Sequence, residues 1–439
     1  MFNSNVGIQS QYRFFPSSFF SITFVILIVS VIVVAYNSLI LDLTPPYVAA
    51  LTDKDVFSIN ATEKSDSSRI PHLGVNMRGF YTSMAESRQG FKNPFPSNYY
   101  DTSFKLLSQS GSIDHVRYRF YWESYEKDPI AFINEIEHVA QSADKYGIKV
   151  IYDNHQFHTS SWLNSARGTG FPTYLFNSTG VKENSGGAPK YSSADTWWSN
   201  WWNRTIKSDN GTDGWQLQAN FLKKIVNTVN KHRSTLGYEI LSEPQVHNKD
   251  QWDKIGKYNT FMTDELRKLT DRVIIYSMNI PIDLKSAIGV TSGNMAKMVP
   301  KHKENVVFKM SLYGIPTDSY QSDKIQLFLN ASNISRVPLY VGEWNNVKRV
   351  PSINEEGKKI WSIHPNLSDI SQQEADTIVK QFGAYKIWGM SYWEWSFIPS
   401  DTPNFNLIKI AKDGVKGESV IQPTKYFEII KRAYSSISQ

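Results

Sequence analysis

Two glutamates, Glu243 and Glu343, each follow an apolar, strand-like run of the sequence, LGYEILS before the first and PLYVG before the second. A carboxylate at the end of a buried strand is costly unless it is paired or has a chemical task. Neither glutamate has a basic neighbour in the sequence, so an ion pair with a distant residue is the structural alternative. Two carboxylates on either side of one bond are what glycoside hydrolysis requires, one as general acid and base and the other as nucleophile.

The elements that would position these glutamates form an alternating pattern from His72 onward. Eight short runs are typical of strands, namely HLGVNM, IDHVRY, IKVIYD, LGYEIL, RVIIYS, NVVFKM, PLYVG and IWGMSYW. Helical patterns follow them, over residues 98–109, 129–146, 215–232, 251–269, 286–298 and 319–329, from 371 onward and over 424–434. The pattern predicts an α/β fold, a (β/α)₈ TIM barrel, with its chemistry at the carboxyl ends of the strands. Glu243 and Glu343 follow the fourth and seventh strands, which face each other across such a barrel.

Composition restricts the classes of function. The chain has 439 residues, 41% hydrophobic and 20% charged, which is typical of a globular protein. It contains no cysteine, so disulfides, thiolate zinc sites and a cysteine nucleophile are excluded. The net charge of +6 is scattered without a basic run, which argues against a nucleic-acid partner. Aromatic residues make up 14%, and their flat faces suit sugar binding as well as the core.

The N-terminal part predicts export. Residues 19–36 are uncharged and almost wholly apolar, long enough for a transmembrane anchor and a poor match to a cleaved signal. Residues 1–18 would then be a short cytoplasmic segment, residues 37–70 an extracellular tether, and residues 71–439 the barrel, outside the cell. If the segment is cleaved, the protein is secreted. Glycosylation acceptors agree with export and occur at Asn60, Asn177, Asn203, Asn210, Asn330, Asn333 and Asn366.

Several motifs in barrel order resemble those of one enzyme family. HLGVNMRG, VRYRFYWESYE and VIYDNHQ are similar to its first three strands, and SEP, YVGEWN and SYWEW to later ones. The chain resembles glycoside hydrolase family 5, the cellulase-like group in the clan of retaining barrel glycosidases. Each motif alone is weak, whereas their order and spacing together are fairly specific.

The resemblance implies a role for each matching residue. Glu343 matches the nucleophile and Glu243 the acid/base, which act by double displacement on a β-linked oligo- or polysaccharide without a metal or organic cofactor. For such a mechanism we expect the two carboxyl groups to lie about 5–5.5 Å apart. Arg117 matches the arginine that buttresses the nucleophile, and His155 matches the active-site histidine. Tyr313 matches the tyrosine beside the nucleophile, and Trp393 the tryptophan that forms a platform for the sugar.

Two residues depart from the family pattern. Ser242 stands where the family has the asparagine before the acid/base, and Ser311 where it has a histidine two residues before Tyr313. Serine is shorter than asparagine, so either a water fills the gap at the sugar 2-hydroxyl or the substrate differs there. Three alternatives therefore stay open: a non-hydrolytic carbohydrate-binding envelope protein, a transglycosylase, and a glycosidase for glycolipids of the endoglycoceramidase type.

The segment after the third strand, residues 156–214, is far longer than an ordinary βα connection and contains TWWSNWW. A helical turn there pairs Trp197 with Trp201 and Trp198 with Trp202. These aromatics are candidates for the wall of a sugar cleft, for a satellite core beneath the loop or for membrane contact. Residues 344–370, which include Trp361, form a second long connection. His155 and His158 are too few ligands to predict a metal site.

Overall fold

The computed structural model describes residues 70–83, 93–165, 168–184, 191–279, 288–347, 349–353, 359–363, 369–396, 406–412 and 419–438. The predicted cytoplasmic segment, the predicted anchor at 19–36 and nearly all of the tether lie outside the described residues. Among the residues that are described, no helix is both long and apolar enough to cross a bilayer. The described acceptor asparagines are all exposed, namely Asn177, Asn203, Asn210, Asn330 and Asn333.

Eight parallel strands form a closed barrel, as the alternating sequence pattern predicts. Seven of them are consecutive in the chain and the eighth, β10, closes the barrel between β7 and β1. They are β1 (His72–Arg78), β2 (His115–Phe120), β3 (Lys149–Asn154), β4 (Thr235–Glu239), β5 (Val273–Ser277), β6 (Val306–Tyr313), β7 (Leu339–Asn345) and β10 (Gly389–Tyr392). The (β/α)₈ prediction is therefore confirmed, and each predicted strand coincides with an observed one.

Two antiparallel hairpins were not predicted. One pairs β8 (Arg349–Ile353) with β9 (Lys359–Ile363), inside the long connection after β7. The other pairs β11 (Ile408–Lys412) with β12 (Ser419–Pro423), before the last helix.

Ten α-helices surround or extend the barrel within the described residues. They are α1 (Tyr99–Ser110), α2 (Trp122–Lys127), α3 (Pro129–Tyr146), α4 (Tyr191–Trp202), α5 (Gly214–Val229), α6 (Trp252–Arg267), α7 (Ser292–Ala296), α8 (Ser319–Ser335), α9 (Gln372–Ala384) and α10 (Lys425–Ser435). Most agree with the predicted helices to within a few residues. The helix predicted over 286–298 is reduced to the five residues of α7, and its first two predicted residues lie outside the described part of the chain.

Local sequence signals explain where the best-predicted helices begin and end. The side chain of Asp128 accepts from the N–H of Ala131 at the start of α3, and Pro129 occupies its first turn. Gly147 ends α3 with a φ of 72°, a left-handed conformation that glycine adopts without strain. At the start of α9, Ser371 and Glu374 form a capping box.

The tryptophans of TWWSNWW lie on α4 and are buried. The four residues are Trp197, Trp198, Trp201 and Trp202, and each is 0–1% exposed. As a group they pack against Phe171, Phe176 and Tyr258. The hypothesis that these rings form a wall of the sugar cleft is wrong for this structure, because protein atoms already cover their faces. They form the satellite core that was the alternative.

This aromatic core also supports the barrel mouth. The indole N–H of Trp202 donates to the carbonyl of Gln245 at 2.8 Å, two residues after Glu243. The indole N–H of Trp198 donates to Oγ1 of Thr159 at 3.0 Å. The long insertion after β3 is thereby attached to the loop that carries the predicted acid/base.

Removing one of these rings tests the structural role. Trp197→Ala deletes a fully buried ring, so we expect the free energy of unfolding to fall by about 3–5 kcal/mol in denaturant titrations. Nε1 of Trp197 has no hydrogen-bond partner among the described residues, so Trp197→Phe should cost much less. If Trp197→Ala instead weakens sugar binding while leaving stability unchanged, the assignment to the core is wrong.

Candidate active site

Glu343 lies in β7 with its side chain almost fully buried, and both carboxylate oxygens accept hydrogen bonds. Oε1 accepts one of 3.0 Å from Nη1 of Arg117 and one of 2.8 Å from Nζ of Lys309. Oε2 accepts one of 2.6 Å from the hydroxyl of Tyr313. Three side chains from β2 and β6 therefore fix the orientation of this carboxylate.

The charges around Glu343 keep it ionised. Burial would raise the pKa of its carboxyl group, but Lys309 and Arg117 outweigh burial and hold the pKa well below its ordinary value. Burial and the charge of Glu343 raise the pKa of Tyr313 well above its ordinary value, so the phenol stays protonated and donates. An ionised, oriented carboxylate is what a nucleophile at this position needs.

Arg117 connects the other carboxylates inside the barrel. Its guanidinium lies 2.7 Å from Glu239 and 2.8 Å from Asp153, and it donates to Oδ1 of Asn76 at 2.8 Å. All four side chains are completely buried. Burial would raise the pKa of Asp153, but Arg117 and a neighbouring histidine outweigh it and lower that pKa. Burial raises the pKa of Glu239 in spite of Arg117.

Glu243 follows β4, across the barrel from β7, and its side chain is half-buried. Its φ of 48° lies in the left-handed region, which is strained for a residue other than glycine. Two hydrogen bonds hold this backbone: its N–H donates to Oγ of Ser277 at 2.9 Å, and its carbonyl accepts from Nε2 of Gln156 at 2.7 Å. The side chain of Glu243 is therefore partly accessible, whereas that of Glu343 is almost fully buried. The expected separation of about 5–5.5 Å between the two carboxyl groups stays a prediction.

Trp393 follows β10 at the mouth of the barrel, with a half-buried ring. The guanidinium of Arg119 lies 4.1 Å from the ring centroid, and Arg119 is itself paired with the buried carboxylate of Glu394. The rings of His155 and Tyr313 lie 5.9 and 6.4 Å from it. A cation and two rings thus orient an aromatic surface of the kind that stacks on sugars.

His155 is placed by the acid next to it in β3. Its Nδ1 lies 2.8 Å from Oδ2 of Asp153, which fixes the ring orientation. The stacked contact with Trp393 brings the histidine to the barrel mouth. His155 is therefore positioned to hydrogen-bond a substrate hydroxyl, as the resemblance implies.

The two serines that depart from the family pattern are both buried. Oγ of Ser242 accepts from Nη2 of Arg117 at 3.0 Å and from Nζ of Lys309 at 3.1 Å, so it belongs to the charged network. Oγ of Ser311, which pairs in register with Glu343, has no hydrogen-bond partner among the described residues. In this structure neither serine presents an exposed hydroxyl to a sugar.

One group of described residues has the spacing of metal ligands: His72, Asp114 and His115. These residues begin β1 and β2, at the end of the strands opposite to Glu343. Both carboxylate oxygens of Asp114 and both ring nitrogens of His115 already have hydrogen-bond partners. The group is therefore accounted for as a hydrogen-bonded cluster.

Comparison with known families shows the family of this chain. The model of the cellulase family, glycosyl hydrolase family 5, matches residues 73–397, well over half of the chain, and the matched segment contains every site residue above. The chain belongs to glycosyl hydrolase family 5. The resemblance seen in the motifs is confirmed, and the protein is a glycosidase. No curated protein matches the chain at a significant level.

Solved structures share the fold of this family 5 glycosidase. An endogalactoceramidase is 17% identical, with 85% of this chain and 82% of that chain covered and a TM-score of 0.58. Endo-glycoceramidase II from Rhodococcus sp., solved as a lactosyl-enzyme intermediate, is 15% identical, with 84% and 80% covered and a TM-score of 0.56. Its ganglioside GM3 complex is 15% identical, with 76% of each chain covered and a TM-score of 0.52. At these identities the likeness shows the fold.

Sequence reasoning missed several residues of the family 5 site. Glu239 and Lys309 are single charges inside apolar strands, in LGYEIL and NVVFKM. A lone charge in such a run indicates a buried ion pair, and this signal could have identified both residues. Asp153 and Asn76 also lie in runs that were read as strands. The pair of Arg119 and Glu394 gave no signal, because its members are far apart in the sequence.

The low pKa of Glu343 predicts how stability depends on pH. A carboxyl group whose pKa is lowered on folding stabilises the fold above its unfolded pKa, about 4.3, and this stabilisation is lost as pH falls through the folded pKa. Glu343→Gln leaves two buried cations undercompensated, so we expect it to cost about 3–5 kcal/mol at pH 7. The gap from the wild type should close as the pH falls below about 4.

Denaturant titrations at a series of pH values would measure this gap. The matched control is Glu428→Gln, an exposed glutamate on α10, which should change the free energy of unfolding by about 1 kcal/mol or less. A gap for Glu343→Gln that stays constant from pH 7 to pH 2 would contradict the assignment of a depressed pKa.

Proposed function

We propose that this glycosidase cleaves β-linked glycans with retention, by double displacement between Glu343 and Glu243. The observation that carries the proposal is the contrast between the two carboxylates. Glu343 is buried, oriented and kept ionised by Arg117 and Lys309, whereas Glu243 is half-buried at the end of the opposite strand. We therefore assign the buried carboxylate paired with two cations as the nucleophile, and the partly exposed carboxylate as the proton donor.

In the first step Glu343 attacks the anomeric carbon. The bond from that carbon to the leaving oxygen breaks, and the leaving oxygen takes the proton of Glu243 and departs as an alcohol. The products of the step are a glycosyl ester on Glu343 and an ionised Glu243.

In the second step Glu243 acts as base. It removes a proton from water while the water oxygen bonds to the anomeric carbon, and the ester bond to Glu343 breaks. The sugar leaves with its original anomeric configuration, Glu343 is ionised again and Glu243 carries a proton.

The substrate we propose is a β-linked oligo- or polysaccharide, with a glycolipid headgroup as the second candidate. The second candidate is supported by the printed subjects of the similar structures, which are an endogalactoceramidase and a glycoceramidase bound to ganglioside GM3. The half-buried ring of Trp393 provides a stacking surface for either. A panel of β-glucans, β-mannans and glycosphingolipids, assayed with residues 69–439 in soluble form, separates the candidates.

We also propose that residues 19–36 anchor the enzyme with its barrel outside the cell. Support comes from the apolar, uncharged sequence of that segment and from the exposed acceptor asparagines. Carbonate extraction of membranes and digestion with an endoglycosidase would test the two features. Release into the soluble fraction at high pH would contradict an anchor.

The two glutamates can be separated by their variants. Glu243→Gln removes the proton donor, so we expect kcat on substrates with alkyl leaving groups to fall about 10²–10⁴-fold, while activated aryl glycosides still form the intermediate. Wild-type enzyme treated with an activated 2-fluoro β-glycoside should carry one covalent label, located on Glu343 by peptide mass spectrometry.

These measurements also test the alternatives. A wild-type protein that binds the 2-fluoro glycoside without a covalent label would be a carbohydrate-binding protein and not a hydrolase. Elongated oligosaccharides on addition of acceptor sugars would indicate a transglycosylase. Normal hydrolysis of polysaccharide by Glu243→Gln would overturn the assignment of the acid/base.

A further inference from the structure

The oxygens of Glu343 are not equivalent. A carboxylate oxygen offers two lone-pair sites in the carboxylate plane. Both sites of Oε1 are occupied, one by Nη1 of Arg117 and the other by Nζ of Lys309. Oε2 accepts a single bond, from Tyr313, and keeps one site for another atom.

We propose that Lys309 is a positioning residue, which holds Oε1 of Glu343 and so selects Oε2 as the oxygen that attacks the anomeric carbon. This inference rests on the proposed double displacement. It gives a task to a buried lysine for which the family resemblance implied no role.

The surroundings of Lys309 are built for this contact. Its side chain is completely buried, and Nζ reaches Oε1 of Glu343 at 2.8 Å and Oγ of Ser242 at 3.1 Å, with Glu239 at 3.8 Å. A Cβ atom on Gly342 would lie 2.7 Å from both Cγ and Cε of Lys309. The residue before Glu343 therefore has to be glycine, because a side chain at position 342 would displace the stem of Lys309.

The lysine also explains the serine before Glu243. Oγ of Ser242 accepts from Arg117 and from Lys309, which uses both of its lone pairs. The serine thus links the two cations that hold Oε1, and the space that a longer side chain would need is filled by the lysine. Ser242 acts on the nucleophile through these cations and not by contact with a sugar.

Charge balance requires a second cation here. Arg117 faces three carboxylates, those of Asp153, Glu239 and Glu343. Burial and Arg117 would lower the pKa of Lys309, but Glu343, Glu239 and Glu243 outweigh them and raise it. The lysine therefore stays charged, and its loss would leave Arg117 shared among all three acids. Among the described residues, His155 and Tyr313 are two further titratable groups that act on Glu343.

A titration of Glu343 tests the contact without substrate. In protein with ¹³C-labelled glutamate carboxyl groups, assigned through Glu343→Gln, we expect Glu343 of the wild type to titrate well below the ordinary value of about 4.3. In Lys309→Met, which keeps most of the side-chain volume, its midpoint should rise by about one pH unit or more. An ordinary midpoint in the wild type, or the same midpoint in both proteins, would overturn the proposal.

Kinetics test the positioning role itself. For Lys309→Met we expect kcat to fall about 10²-fold with little change in KM, and the acidic limb of kcat/KM to move to higher pH by the same amount as the titration midpoint. Lys309→Arg keeps a cation and should restore the acidic limb in part. A loss of active protein without a positioning effect would lower kcat equally at every pH and leave the limb in place, which would overturn the proposal.

Two further variants provide a second test of the Lys309 contact and a control. Gly342→Ala displaces the stem of Lys309 without removing its charge, so it should move the acidic limb in the same direction; it also serves if Lys309→Met does not fold. Lys301→Met, at an exposed position after α7, is the control and should leave the profile unchanged. If the wild type does not turn over any glycoside, the proposed function fails, while the titration still decides whether Lys309 controls Glu343.

Discussion

The burial of Arg117 among three carboxylates is the constraint on which the interior of this barrel depends. Each buried ion loses several kcal/mol of hydration, which is recovered only if partners and hydrogen bonds are complete. Here the partners come from six of the eight strands, through Asn76, Arg117, Asp153, Glu239, Lys309 and Glu343. A single polar network therefore joins most of the barrel wall from the inside, and the carboxylate of Glu343, the nucleophile we propose, is one of its members. A substitution at Glu343 that tests its reactivity therefore also changes the stability of the barrel.

The periphery of the site depends on apolar packing instead. The four tryptophans of α4 were candidates for a cleft wall, a satellite core or membrane contact, and they lie in a core that holds the insertion after β3 against the loop after β4. They support the main chain around Glu243. The aromatic surface that we propose for a sugar is Trp393, whose ring is held by Arg119 and two neighbouring rings.

The barrel was predictable because alternating strands and helices leave a strong local pattern, and because caps such as Asp128 and Ser371 mark helix starts. The residues at strand ends were predictable because chemistry in this fold occurs there. The roles of Lys309 and Glu239 were not predictable: a lone charge in an apolar run indicates a buried ion pair, but the sequence does not tell which residues are its partners. Those partners are remote in the chain: Arg117 and Glu343 are 226 residues apart. The place of the tryptophans was left open, because the sequence alone does not tell which side of a loop faces solvent.

The hydrogen bonds that hold the main chain of Glu243 restrict how the loops around it can change in evolution. Gln156, whose amide holds the carbonyl of Glu243, also accepts from the N–H of Thr159 and so belongs to the first turn of the long insertion. The main chain around Glu243 is thus held by two parts of one insertion: its first turn, through Gln156, and α4, through Trp202 and the carbonyl of Gln245. The length of the insertion can therefore change only where both attachments stay in place. The insertion after β3 is in this sense a structural part of the barrel mouth and not an appendage to it.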